Sequence, residues 1–147
     1  MKILLTSECG KVSAPEVPTL TYDIAVDDSS PKEKNKLYIR LNRNDTGGLF
    51  SQEWIAYEAI KNTLETVPMP FSSVALKKLF STSSANNSGY LVAVLRNEDI
   101  ICSHDNRVRK NITSNPKSFE QRMAKLIKAG KYLPDTLAAE ALNKKQA

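Results

Sequence analysis

Leu20-Thr21-Tyr22-Asp23-Ile24-Ala25-Val26 and Leu37-Tyr38-Ile39-Arg40-Leu41-Asn42 decide the fold. In each, bulky apolar residues alternate with polar or smaller ones, the period of two expected of a half-buried strand. The polar connection at 27–36, which contains Pro31, is long for a tight hairpin and reads as an exposed loop. Upstream, 2–6 suits a short first strand, and 10–18, with Gly10, Pro15 and Pro18, suits an irregular connection.

Downstream the period changes. With Ser51 as N-cap, Trp54, Tyr57, Ile60, Leu64 and Val67 share one face of a helix that Pro68 and Pro70 stop. Ser72 or Ser73 opens a shorter helix with Ala75, Leu76, Leu79 and Phe80 on one face, and 81–88 reads as a polar loop. Residues 90–95 are apolar on both faces, as a covered central strand would be. Arg96-Asn97-Glu98-Asp99 then forms a turn, and 100–103 returns as the second hairpin. Asn115 and Pro116 make a favourable cap and first position for a helix ending at Ala129, with Gly130 in the left-handed site after it. Pro134 opens a last, alanine-rich helix. The expectation is an α+β fold: a mainly antiparallel sheet from two hairpins with packed helices, plus a basic C-terminal helical pair. The core is expected at 1–104 and the pair at 105–147.

Composition narrows the function. The chain has 147 residues, 41% apolar and 25% charged, ordinary for a soluble globular domain. No apolar run approaches the ~20 residues that span a bilayer. The start, with only Ile3-Leu4-Leu5 as apolar core, does not read as a secretory signal. Cys9 and Cys102 lie far apart without metal-ligand spacing, which points to free thiols in a reducing cytoplasm. A single histidine, His104, excludes two-histidine zinc sites. Net charge is +5, and the surplus falls entirely within 101–147, where 10 Lys/Arg face 4 Asp/Glu. A one-sided basic segment is the footprint of a nucleic acid or an acidic protein partner.

The helix at 116–129 carries the sharpest pattern. Phe119, Met123, Leu126 and Ile127 share one face, and Lys117, Arg122, Lys125 and Lys128 share the other. Arg107, Arg109 and Lys110 extend this patch upstream, and Lys131 extends it downstream. These eight residues are the expected phosphate contacts.

Other constellations are weaker. The Asp45-Thr46-Gly47-Gly48 turn lacks the Lys-Ser/Thr of a phosphate loop and reads as a sheet-to-helix turn requiring positive φ, with Leu49 and Phe50 as apolar anchors. In Cys102-Ser103-His104-Asp105, strand alternation sends Asp105 away from Cys102 and His104, which leaves no orienting acid for a nucleophile. Asp23, Asp27 and Asp28 lie near a strand end, followed by Glu33 and Lys34 in a loop; Asp27-Asp28 reads as a turn rather than as part of a nuclease centre. Tyr38, opposite its strand's apolar face and beside Arg40, is the aromatic placed to stack on a base. The order helix, helix, hairpin across 51–66, 73–80 and 90–104 resembles a winged helix, with Lys77 and Lys78 on the reading helix and Arg96 at the wing tip. Its third helix is missing, however, and Glu98-Asp99 would make the wing acidic. The sequence therefore favours a non-enzymatic nucleic-acid-binding or accessory protein with no cofactor or metal. The alternative is an adaptor or inhibitor that binds an acidic protein.

Overall fold

The computed structural model describes residues 1–30, 35–82 and 84–146. Residues 31–34, including Glu33 and Lys34 of the expected loop, and Ser83 lie outside the described residues. The chain folds as α+β. Strands β1 (Lys2–Cys9), β2 (Leu20–Asp27), β3 (Lys36–Asn44) and β4 (Ile55–Ala56) form an antiparallel sheet in sequence order. Helix α1 (Tyr57–Thr66), a 3₁₀ helix (Ser73–Leu79) and helix α2 (Asn86–Asn97) follow. A two-stranded ribbon of β5 (Ile101–Ser103) and β6 (Asn111–Thr113) precedes helices α3 (Pro116–Ala129) and α4 (Thr136–Gln146).

The alternation in β2 and β3 sorts the two sheet faces as expected. Tyr22 pairs with Leu41 and Ile24 with Ile39, and all four are buried in the core. The helices supply the other side of that core, with Ile60 and Leu64 from α1, Leu91 to Leu95 from α2, and Phe119 and Met123 from α3. Phe119 is fully buried, with its ring 5.0 Å from that of Tyr57.

The second hairpin differs from the expectation. Residues 90–95 are not a strand but the centre of α2, which begins within the supposed loop at Asn86 and runs through Arg96 and Asn97 of the supposed turn. Buried on every side, this segment carries no periodicity that separates helix from strand. β5 pairs instead with β6, in a stretch that reads as polar and basic. Without a strand at 90–95 there is no wing, and the winged-helix resemblance fails. Ser51 is likewise not a cap: α1 starts at Tyr57 after the short strand β4, with Ala56 at its N-cap. Leu49 is 83% exposed and anchors nothing, whereas Phe50 packs edge-on to Tyr90. Gly47 takes the expected positive φ of 82°.

The other face of the sheet holds a buried ionic cluster. Asp23 accepts hydrogen bonds from Arg40 Nε at 2.8 Å, Asn42 Nδ2 at 2.7 Å and Thr6 Oγ1 at 2.6 Å. Trp54, expected on the apolar face of a helix, instead lies with its ring centroid 4.3 Å from the Arg40 guanidinium carbon. The segment after α3 crosses to this face. Leu133 donates its N–H to the Ile3 carbonyl at the edge of β1, and Asp135 accepts from Arg40 Nη2 at 2.6 Å.

Two predictions test this packing. Phe119→Ala should remove about 3–5 kcal/mol of stability in urea titrations, the cost of emptying a core aromatic site. A change below 1 kcal/mol would mean that α3 is not part of the core. The second concerns Asp135. Partial burial raises its pKa, but the hydrogen bond from Arg40, the Ala138 N–H and the guanidinium charge outweigh burial and set it below the ordinary carboxylate value. Its contribution is therefore complete above the unfolded value of about 3.9 and is lost as pH falls through the lower folded value. The stability gap between the native chain and Asp135→Asn should shrink on acidification through that range; a gap independent of pH would contradict the assignment.

Candidate nucleic-acid interface

Helix α3 is well specified by its own residues. Asn115 Oδ1 accepts from the Ser118 N–H at 3.1 Å, Pro116 occupies the first turn, and Gly130 closes the helix at φ 65°. Phe119 and Met123 are buried, which turns Lys117, Lys125 and Lys128 towards solvent, with Gln121 on the same arc. No carboxylate lies on that arc. The Lys117–Lys128 row spans about 16 Å at 1.5 Å per residue. That is close to five phosphate steps of one duplex strand.

The two acids bordering the arc are both engaged. Glu120 accepts from Tyr57 Oη at 2.9 Å and pairs with Lys61 at 3.2 Å. Glu98, one residue beyond α2, is buried, with a side chain 5% exposed. It accepts from the Tyr22 hydroxyl and from Arg122 Nη1 at 2.8 Å, and its backbone carbonyl accepts from Arg122 Nη2 at 2.6 Å. Burial and then the Glu98 charge push the Cys9 thiol up to about 11. Cys9 is therefore a protonated thiol at neutral pH, not a nucleophile.

Arg122 is therefore a countercharge to a buried carboxylate, not a free cation. The other expected contacts also separate. Arg107, Arg109 and Lys110 sit in the loop joining β5 to β6, and β6 divides them from the start of α3 by about 10 Å of strand. Arg109 lines a groove with Lys11, whereas Lys128 lines a cavity of about 660 Å³ with Tyr38, Tyr57 and Ile127. Lys131 is exposed just past α3. A cation that the sequence reading missed joins it there: Lys2 Nζ lies 5.7 Å from the centroid of the Tyr132 ring, which is 42% exposed. Only the fold brings residue 2 beside residue 132.

The remaining chemistry is sparse. Asp105 does reach His104, at 3.2 Å, because positive φ at Asp105 and Asn106 folds the chain back where a continuing strand would have separated them. Asp105 is largely exposed and His104 partly so, and no hydrogen bond joins His104 to Cys102 among the described residues. Asp27 caps the Ser29 N–H in a turn, and Asp23 is consumed by Arg40 and Asn42. Among the described residues no group of three potential ligands could hold a metal ion, and no helix is long and apolar enough to cross a membrane.

This division of the cations predicts different stabilities. Arg122→Ala should cost about 1–3 kcal/mol in urea unfolding. That is less than for a fully buried pair, because Arg122 is 44% exposed and water can partly replace it. Lys117→Ala, Lys125→Ala and Lys128→Ala should each stay within about 0.5 kcal/mol of the native chain. Equal costs at all four positions would contradict the division. Compared with known protein families, curated proteins and solved structures, the chain shows no match.

Proposed function

We propose that the protein binds nucleic acid through the phosphate backbone, with Lys117, Lys125 and Lys128 of α3 as the central contacts and Lys131 and Lys2 at one end. The observation that carries this reading is the solvent arc of α3. Every charged side chain on it is a lysine without a carboxylate partner among the described residues, while the neighbouring acids Glu98 and Glu120 are already neutralised. Unpaired cations in a row retain their full attraction for a polyanion and release its condensed counterions on contact. Arg122 stands outside the contact set because its charge is spent within the fold.

Backbone contacts alone give little sequence preference. Tyr38 adds an aromatic surface in the cavity that Lys128 borders, where an unpaired base has a ring to stack on. This arrangement favours single-stranded over duplex ligands.

Fluorescence anisotropy with labelled single-stranded DNA, duplex DNA and RNA at several salt concentrations tests the proposal. Neutralising three to four phosphates should give a log–log salt slope of about −2 to −4. Changing Lys117, Lys125 and Lys128 together to Glu should abolish binding while the thermal transition persists. Binding that survives the triple change, or no binding to any of the three ligands at low salt, would remove the basis for this function.

A further inference from the structure

Away from α3, a groove of about 600 Å³ runs along α2. This lies within the range of sites that hold a ligand or a peptide's side chains. Lys11 and Val12 come from the β1–β2 connection, Val74 from the 3₁₀ helix, Gly89 from α2, and Val108 and Arg109 from the β5–β6 loop. Among the described residues, no carboxylate lines it.

Its wall is fixed from beneath. Arg96 donates to the Val108 carbonyl at 2.8 Å, to the Lys110 carbonyl at 3.4 Å and to Asn111 Oδ1 at 2.8 Å. Three hydrogen bonds from one guanidinium hold the loop that presents Val108 and Arg109. Val74 and Val108 are nonetheless 63% and 52% exposed, so the groove has exposed aliphatic rims.

Gly89 lines the floor of α2 that faces the groove. A glycine inside a helix weakens it relative to alanine. It is usually explained by a positive φ or by a close neighbour, and neither applies here. Positive φ among the glycines is confined to Gly47 and Gly130, and a Cβ at position 89 would meet nothing within 4 Å. The space that a methyl group would take at position 89 is therefore open groove.

We infer that this groove binds an extended segment of a partner protein in which acidic residues accompany aliphatic ones. The aliphatic side chains pack between Val12, Val74 and Val108 over Gly89, and the carboxylates meet Lys11 and Arg109. The charge complementarity would suit a nucleic acid equally, but the shape does not. Among the described residues of the lining the one aromatic ring, Tyr90, is 9% exposed and is covered by Lys11, whose Nζ lies 5.5 Å from the ring centroid. A base has no open ring to stack on there.

Selection of phage-displayed random peptides on the full chain, followed by titration of the synthetic winners, tests the inference. The expected consensus combines Asp or Glu with Val, Ile or Leu. Lys11→Glu with Arg109→Glu, and separately Gly89→Leu, should weaken binding by on the order of tenfold or more. Gly89→Ala should move two readouts in opposite directions, raising Tm by a few degrees while lowering peptide affinity. The triple lysine change on α3 should leave peptide binding intact, which separates this site from the proposed nucleic-acid face. Failure to enrich such a consensus, or unchanged affinity in Gly89→Leu, overturns the inference. Competition by oligo-dT that is lost in the same variants also overturns it and assigns the groove to nucleic acid.

Discussion

A carboxylate shielded from water sets the arrangement of the helices. Glu98 directly follows α2 and lies against Tyr22 of β2, whose hydroxyl also accepts from Asn97 at 2.7 Å. A buried negative charge without a partner is strongly destabilising. Arg122 supplies the partner, in the same rotation of α3 that buries Phe119 and Met123. Once Arg122 faces Glu98, Phe119 and Met123 face the core, and Lys117, Lys125 and Lys128 are left facing water. The free positive charge on the surface thus shares one helix orientation with the buried apolar face and the neutralised negative charge inside.

The parts of the fold legible in the sequence are those that local chemistry decides. The alternation in 20–26 and 37–42, the Asn115-Pro116 start and the Gly130 stop each depend on residues a few positions apart, and each stands where the sequence places it. The segment 90–95 was not legible, because an all-apolar run satisfies a buried helix and a buried strand equally. Strand β6 was hidden for a different reason. Asn111-Ile112-Thr113 offers one apolar residue, and its pairing is imposed by β5 and by backbone hydrogen bonds between Asn111 and Phe71.

The candidate sites divide in the same way. The lysine arc follows from a helical wheel, so three of its members were recoverable from spacing alone. The commitment of Arg122 was not, since it depends on a carboxylate 24 positions away that the sequence reading places on an exposed turn. Nor was the association of Arg109 with Lys11, which are remote in the chain and meet only because the β1–β2 connection and the β5–β6 loop reach the same side of α2. The one local clue to that groove is Gly89, a residue unfavourable in its own helix.

The crossing of the chain after α3 has a consequence for how the protein behaves among other copies of itself. β1 is the longer of the sheet's two outer strands, and its outward N–H and C=O groups are a template on which a foreign strand can add. Leu133 occupies that template at Ile3, Leu4 interrupts its regularity as a bulge, and Lys2 and Glu8 place charges along it. The same segment that delivers Asp135 to Arg40 therefore protects a vulnerable sheet edge. Loosening it would free the Ile3 backbone at that edge for another strand and expose an ion pair to water.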